Sequence, residues 1–329
     1  MRSKQTGYEI RPADMQDAAA VAAVCNAWEL ISGTDERTSA DGVRKSWQRS
    51  GVEIETDTRV VEVANLRIVG YALFSDSFSD YARLRGMIRM HPDYTNSAAE
   101  SDLLDWIDTR AAGSLRRIPG GPRVALSHLA MVQDTARRDL LLAHGYTLVH
   151  HAIRMRFDLE RTSHAGTFRS PAGVSIRLCD PSTDLPAVSA VVQEAFREHW
   201  GFVERTTKDD VTRYERWLKD DPGIDMGVWH LACIANEIVG VCLGTSNYGG
   251  NRKQAYIFTL GVRDAWRGKG VGRALLLHSI EVFRARDCIA VDLDVDTANL
   301  TGALRLYESA GMQPRWQTDE YEKELRAAD

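Results

Sequence analysis

The sequence predicts a mixed α/β protein built from two similar domains in tandem, each with a twisted, largely antiparallel sheet flanked by helices. Its 329 residues suit two domains, at roughly 100–200 residues per domain. Hydrophobic residues make up 44% of the chain and charged residues 26%, which is typical of a globular protein with buried cores. The third observation is that short patterns of the first half return in the second half in the same order.

The repeat has three members. G-x-x-I-R-x-x-D precedes a helical pattern in each half, I-V-G follows, and a glycine turn comes near each end. The matched stretches are residues 7–14 and 173–180, 68–70 and 238–240, and 144–146 and 310–312. Gly173 follows Gly7 by 166 residues, and Gly311 follows Gly145 by the same distance. A period of this size indicates a duplicated domain rather than a solenoid.

A polar stretch broken by glycine and proline separates the halves, and this composition is typical of a linker. We therefore predict a first domain at residues 1–160, a linker at 161–172 and a second domain at 173–329.

Apolar spacing in the second half predicts the element order β-α-α-β-β-β-α-β-α-β. The first five of the six predicted strands are 174–178, 230–235, 238–245, 255–262 and 289–295, and the predicted helices are 184–197, 207–219, 272–286 and 301–310. The first half shows the same order with weaker signals.

Composition narrows the partners. The net charge of −5 gives no overall basic field for nucleic acid or an anionic membrane, so a small cationic molecule is the better match. The five cysteines are odd in number and form no C-x-x-C pair, which predicts reduced thiols and no metal site. No secretory signal and no apolar run of about 18 residues is present. We expect a cytoplasmic protein. The sequence is compatible with a monomer or an oligomer.

The most informative stretch follows the strand that ends at Val262. It reads R-G-K-G-V-G from Arg267 to Gly272 and leads directly into an apolar helix. Glycines allow successive backbone N–H groups to converge on one point, and the start of a helix adds a positive dipole end. Arg267, Lys269 and Arg273 surround the loop with positive charge. The pattern predicts a pyrophosphate-binding loop that is neither a Walker loop nor a dinucleotide fingerprint.

Arg267-x-x-Gly270-x-Gly272 matches the R/Q-x-x-G-x-G/A signature of the GNAT acetyltransferase superfamily, and residues 296–312 resemble its N-x-x-A-x-x-x-Y-x-x-x-G-F segment. The resemblance covers the second half and, more loosely, the first. It implies acetyl-CoA, or another acyl-CoA, as the cofactor. The backbone expected to hold the pyrophosphate belongs to Arg267, Gly268, Lys269, Gly270, Val271, Gly272 and Arg273.

The same resemblance implies roles for four further residues. The strand edge at Leu260 and Val262 would pair with the pantetheine arm, and Asn299 would hydrogen-bond that arm. Tyr307 would protonate the departing thiolate as a general acid. Phenol and thiol pKa values lie within about two units of each other, so this proton transfer is chemically reasonable.

The first half has lost these features. Aligned on Met90 and Val262, Thr95 replaces Arg267, Ala98 replaces Gly270 and Glu100 replaces Gly272, which places a carboxylate where a phosphate would bind. Leu141 stands 166 residues before Tyr307. We therefore predict a degenerate first domain without a functional CoA site and a catalytic second domain.

The acceptor side is less specific. Superfamily members often carry a glutamate base on the strand before the loop. The mycothiol synthases, which share the tandem organisation, place a glutamate where this chain has Tyr256. The alternatives nearby are Thr259, Asp292 and Asp294, of which Asp294 together with Tyr256 forms our candidate base region. Glu198 and His199 are the candidate contacts to the acceptor.

The leading hypothesis is an N-acetyltransferase that transfers the acetyl group to a primary amine of a small molecule, by direct attack in a ternary complex. Three alternatives stay open. They are thiol biosynthesis of the mycothiol type, N-acetylation of a protein or peptide, and a non-catalytic acyl-CoA sensor.

Overall fold

Strands and helices follow one another in the same order in the two halves of the chain, apart from one additional short helix, Ile54–Asp57, in the first half. The computed structural model describes residues 7–328, apart from 35, 50, 77–82, 96, 119, 122, 162–169, 221–223, 249–250, 252 and 298–301. The strands are β1 Tyr8–Arg11, β2 Thr58–Val63, β3 Arg67–Ser75, β4 Arg83–Met90, β5 Val124–Met131, β6 Thr147–Asp158, β7 Val174–Leu178, β8 His230–Ile234, β9 Glu237–Thr245, β10 Gln254–Val262, β11 Ala290–Asp296 and β12 Gln313–Arg326. The helices are α1 Ala18–Ile31, α2 Ala40–Trp47, α3 Ile54–Asp57, α4 Ala98–Ser114, α5 Thr135–Ala143, α6 Pro181–Phe196, α7 Thr207–Asp220, α8 Val271–Arg284 and α9 Ala303–Ser309.

The repeated G-x-x-I-R-x-x-D pattern organises the start of each half. Its aspartate accepts a hydrogen bond from the backbone N–H two residues later, and its arginine forms an ion pair with a later aspartate. The pairs are Asp14–Gln16 and Arg11–Asp17 in the first half, at 2.6 and 2.7 Å, and Asp180–Ser182 and Arg177–Asp184 in the second, at 3.0 and 2.6 Å. The hydrogen bond to each aspartate satisfies an N–H group that the start of a helix leaves without a partner, and the ion pair fixes the turn before it.

The chain divides into two units. The first comprises Met1–His151 and Trp316–Asp329, and the second comprises Ala152–Arg315. In the first unit, β1, β2, β3 and β4 pair antiparallel in that order, β4 pairs parallel with β5, and β5 pairs antiparallel with β12 from Thr318 to Arg326. Leu103 of α4 and Trp47 of α2 are buried in two separate clusters of apolar side chains.

In the second unit, β7, β8, β9 and β10 pair antiparallel in that order, β10 pairs parallel with β11, and β11 pairs antiparallel with β6 from Ala152 to Asp158. Two glycines let helices pack closely on the sheet. A Cβ at Gly240 would lie 3.0 Å from Leu275 of α8, and a Cβ at Gly261 would lie 3.0 Å from Ala195 of α6. The mixed, largely antiparallel sheet that the sequence predicts is confirmed.

The units differ from the predicted domains at two strands. Residues 152–158 belong to the second unit, because their backbone pairs with β11, and residues 316–326 belong to the first unit, because their backbone pairs with β5. Side-chain periodicity marks a strand but does not name its partner, so the sequence places both strands with their neighbours along the chain. Of the predicted linker, residues 162–169 lie outside the described residues.

Cys25, Cys179, Cys233, Cys242 and Cys288 are buried free thiols. Among the described residues, no helix is both long enough and apolar enough to cross a membrane.

Candidate active site

β10 and β11 run side by side for only three residues and then separate. The last pair in their register is Tyr256 with Asp292, yet β10 continues to Val262 and β11 to Asp296. Past this point β10 pairs only with β9 on its other side, with a register shift between Ile257 and Thr259. The edge of β10 from 257 to 262 therefore faces an opening between two parallel strands. Its backbone groups can pair with an extended amide chain.

The glycine loop stands at the end of this open edge. Gly268 and Gly270 have φ angles of 71° and 83°, a left-handed conformation that favours glycine. Gly270 is the residue before α8 and carries no side chain that could cap the helix. The first N–H groups of α8, from Val271 to Arg273, are thus left for an anion at the positive end of the helix dipole.

Arg267 holds the loop in place. Its guanidinium donates to the carbonyl oxygens of Ala195, at 2.8 Å, and Val262, at 3.3 Å, and it pairs with Asp264 at 3.0 Å. These contacts tie the end of β10 to the end of α6. The side chain of Arg267 therefore positions the loop, a role that differs from the diffuse positive charge expected from the sequence.

Glu194 provides the second support and is not found by sequence reasoning. Its carboxylate accepts hydrogen bonds from the Arg263 guanidinium at 2.8 Å and from the backbone N–H of Asp264 at 2.9 Å. The partners lie 69 and 70 residues further along the chain, and no local pattern reveals such a contact.

Positive charge at the mouth of the loop comes from Lys269 and Arg273. The Lys269 ammonium lies 4.6 Å from the ring centre of Trp266, and its residue is exposed. Lys269 follows Gly268, and Arg273 lies in the first turn of α8. The two side chains therefore flank the N–H groups at the start of the helix.

Tyr307 lies on α9 and is 7% exposed. Burial and, to a smaller extent, Cys242 raise the pKa of its phenol above the usual range. Cys242 pairs with Leu260 across β9 and β10, and Leu306 lies 3.5 Å from the Cβ position of Gly272. The predicted general acid is thus close to both the open strand and the glycine loop. Among the described residues, its hydroxyl has no hydrogen-bond partner.

The candidate base region forms a polar cluster where β10 and β11 separate. The Arg154 guanidinium donates to both oxygens of Asp294, at 2.5 and 3.1 Å, and the Tyr256 hydroxyl donates to one of them at 2.9 Å. Tyr248 stacks on Tyr256 with ring centres 4.5 Å apart. Burial and the charge of Asp294 raise the pKa of Tyr256 well above its usual range. This region therefore contains an ion-paired carboxylate and a phenol that keeps its proton.

A second ion pair lies beside the first. Arg156 donates to both oxygens of Asp292 at 2.7 Å, and Asp292 is fully buried. Arg154 and Arg156 both come from β6, opposite Asp294 and Asp292. The alternation R-x-R against D-x-D is a signal that the sequence carries, but it becomes meaningful only once the two strands are known to pair.

Glu198 and His199 follow the end of α6. Glu198 is exposed, and the His199 ring lies 4.6 Å from the ring of Phe196, which packs against Gly261. Asn299 lies outside the described residues, so its predicted role stays a prediction. Within the described part of the chain, no cluster of side chains suited to a metal ion is found.

The corresponding opening in the first unit is filled by side chains. β4 and β5 separate after Gly86, and the Arg137 guanidinium donates there to the Ile88 carbonyl at 3.1 Å. Arg137 also pairs with Glu100 at 2.8 Å. A cavity of about 210 Å³ remains beside this pair. A buried carboxylate at the start of α4 disfavours a phosphate there. That this half holds no functional CoA site stays a prediction.

Leu141 occupies the place of Tyr307. The N–H of Tyr146 donates to the Leu141 carbonyl at 3.0 Å, just as the N–H of Met312 donates to the Tyr307 carbonyl at 3.0 Å. Leu141 is fully buried and offers no proton. The first unit therefore keeps the helix that corresponds to α9 but has a leucine in place of the tyrosine hydroxyl.

A parallel strand pair that separates beside a glycine loop, with a helix start behind it, defines an acyltransferase fold. Residues 189–312 match the family described as Acetyltransferase (GNAT) family, and this chain belongs to that family. It is an acyltransferase, and members of the family take their acyl group from acetyl-CoA.

Relatives give the same assignment. The mycothiol acetyltransferase of Thermobispora bispora is 31% identical over 58% of this chain and 68% of its own length. The mycothiol acetyltransferase of Thermomonospora curvata is 30% identical over 74% of this chain and 75% of its own length. Among solved structures, a GCN5-related N-acetyltransferase from Sphaerobacter thermophilus is 26% identical with a TM-score of 0.82, covering 98% of this chain and 97% of its own. A tandem GNAT protein from the clavulanic acid biosynthesis pathway shares the fold. It is 15% identical with a TM-score of 0.70, covering 98% of this chain and 100% of its own.

Proposed function

We propose that the second unit binds acetyl-CoA along β10 and the 267–273 loop and transfers the acetyl group to a primary amine of a small molecule. One observation carries the proposal. The open edge of β10 leads directly to the uncapped start of α8, through two glycines in the left-handed conformation. An extended amide arm and a diphosphate fit these two surfaces in that order.

The residues present suit the cofactor. The N–H groups of 271–273 would receive the diphosphate, with Lys269 and Arg273 beside it. The backbone of Leu260 and Val262 would pair with the pantetheine arm. Arg267 and Glu194 would keep the loop in this shape before the cofactor arrives, and such preorganisation reduces the cost of binding.

The chemistry needs a nucleophile and a proton donor. Acetyl-CoA supplies a thioester, whose carbonyl carbon is attacked by the amine nitrogen and whose carbon–sulfur bond then breaks. Because burial raises the pKa of Tyr307, its phenol holds a proton at neutral pH and can present it to the departing sulfur. The amine would enter on the side of Asp294 and Tyr256, where the two strands separate.

The direct test is release of free thiol from acetyl-CoA in the presence of a panel of small primary amines, with the N-acetylated product identified by mass. Tyr307→Phe should lower kcat by roughly 10²–10⁴-fold while the Kd of CoA stays unchanged. Tyr214→Phe is the matched control, because Tyr214 is also buried in this unit and packs on Trp229. An unchanged kcat in Tyr307→Phe would remove the acid role.

The acceptor of the mycothiol acetyltransferases is a second candidate, favoured by the relatives at 31% and 30% identity. Tyr256 stands where the mycothiol synthases carry a glutamate, and the structure pairs it with Asp294. The panel therefore includes that acceptor. If kcat/KM for the mycothiol acetyltransferase acceptor exceeds that for every other amine by more than about 100-fold, or about 2.7 kcal/mol of transition-state binding, that acceptor is the substrate.

A further inference from the structure

Asp292 forms the last pair of β11 with β10, and Asp294 is the next residue along β11 on the same face of the sheet. Its carboxylate is 42% exposed, whereas the Arg154 guanidinium behind it is only 8% exposed. A molecule that enters the opening can therefore reach Asp294, while Arg154 supports it from beneath. The support comes from β6, outside the domain predicted at 173–329.

Three hydrogen bonds fix the carboxylate. Two come from Arg154 and one from the Tyr256 hydroxyl, and the Arg154 guanidinium also lies 4.9 and 5.5 Å from the ring centres of Tyr256 and Tyr248. An ionised carboxylate offers about four acceptor positions. The arrangement leaves one of them for an incoming N–H donor.

We infer that Arg154 is a positioning residue for the acceptor, holding Asp294 as an ion-paired, oriented hydrogen-bond acceptor for the amine rather than as its base. The inference rests on the proposed function. A carboxylate whose two oxygens already accept from a bidentate guanidinium and a phenol is held in one orientation. Asp294 can then orient an amine for attack, while the amine loses its proton to water.

A substrate class follows from this role. Because water takes the proton in this scheme, the reactive fraction of the acceptor depends on the amine's own pKa. Amines resembling an α-amino group, with a pKa of about 7.7–8.0, are reactive near neutral pH, whereas a lysine-like amine near 10.4 is almost wholly protonated. The preferred acceptor is therefore a weakly basic primary amine.

The experiment compares Arg154→Met and Arg154→Lys with the wild type, using the most active weakly basic amine of the panel. Arg154→Met should raise the KM of the amine about tenfold and leave the KM of acetyl-CoA within about twofold. Arg154→Lys should recover part of the loss, since it restores the charge without the bidentate geometry. Arg177→Met is the matched control, because it removes a bidentate ion pair with Asp184 at the other edge of the sheet.

Tyr256→Phe removes one donor with almost no change in volume, and it keeps the inference testable should Arg154→Met fail to fold. It should raise the KM of the amine about threefold. The wild-type pH profile of kcat/KM, with acetyl-CoA saturating, should follow the pKa of each amine supplied. Among the described residues, the charged and phenolic groups in this cluster with Asp294 are Arg154, Arg156, Asp292, Tyr248 and Tyr256.

Two results would overturn the inference alone. One is an active enzyme whose Arg154→Met and Tyr256→Phe variants keep the wild-type KM for the amine. The other is a pH profile with one acidic limb near a carboxylate pKa that is the same for every amine, since this would identify Asp294 as the base. Absence of thiol release by the wild type with every amine would overturn the proposed function, and the inference with it.

Discussion

Gly270 offers a quantitative test of the loop, because its backbone conformation is unfavourable for any other residue. Its φ and ψ are 83° and 1°. A side chain in this left-handed conformation costs about 1–2 kcal/mol. A Cβ added there would meet only Pro171, at 3.6 Å, which is ordinary van der Waals contact. Gly270→Ala should therefore lose about 1–2 kcal/mol of unfolding free energy from backbone strain alone.

Gly272→Ala is the control two residues away. Gly272 lies in the first turn of α8, and an added Cβ would lie 3.4 Å from Val262 and 3.5 Å from Leu306, again ordinary contact. Alanine is preferred over glycine inside a helix by roughly 0.5–1 kcal/mol. This variant should be as stable as the wild type or slightly more stable.

Thermal unfolding followed by circular dichroism measures both variants. For a unit of this size, 1 kcal/mol corresponds to roughly 2–4 °C, so Gly270→Ala should lower Tm by about 2–8 °C. Repeating the scans with acetyl-CoA tests the loop as a binding surface. At 100 times Kd the ligand stabilises the wild type by about 2.7 kcal/mol, and a variant that binds tenfold more weakly would lose about 1.3 kcal/mol of this.

The reasoning would be refuted by a Gly270→Ala protein as stable as the wild type, or by greater damage from Gly272→Ala. Equal stabilisation of Gly270→Ala and the wild type by acetyl-CoA would leave the strain argument intact and contradict the binding loop.

Three further predictions concern buried charges. Arg156→Met should destabilise the protein by about 3–5 kcal/mol in chemical denaturation, because fully buried Asp292 loses its bidentate partner; a loss below about 1 kcal/mol would contradict this. Glu100→Met should cost a similar amount by stranding Arg137, and adding Arg137→Met should recover most of it, whereas additive losses would show that the pair is not coupled. Burial, and to a smaller extent His278, lowers the pKa of His230 to about 4. The unfolded chain then takes up the proton first, so the contribution of His230 is complete above about pH 6.5 and falls as the pH drops toward 4, by roughly 2 kcal/mol between pH 7 and 5. His230→Asn should remove this part of the pH dependence, and an unchanged slope would refute it.

The local parts of the site could be read from the sequence because each is encoded within a few residues. The loop joins a strand to a helix as expected, and its glycines at 268 and 270 adopt the left-handed conformation. Tyr307 also lies close to the open strand and the loop. Its proximity to Cys242 and its altered pKa needed the fold, since they depend on burial.

Contacts between distant segments could not be read in this way. Glu194 supports the loop from 69 residues away, and Arg154 pairs with Asp294 from 140 residues away. Arg267, expected to lend charge to the loop, uses its donors on two backbone carbonyls instead. Such pairings depend on which strand lies beside which, and a charged residue looks the same in the sequence whether it is solvated or paired.

By itself, the sequence determined the duplicated α/β organisation, the glycine loop with the helix that follows it, and the replacement of the loop glycines and of Tyr307 in the first half. These follow from short-range rules, because periodicity, glycine conformation and helix starts depend on neighbours along the chain. Only the tertiary structure decided that residues 152–158 complete the sheet of the second unit and that residues 316–326 complete the sheet of the first. Strand pairing is determined by hydrogen bonds between backbone segments that are distant in the sequence. The pairing of β6 with β11 also places Arg154 and Arg156 beside the two aspartates at the opening.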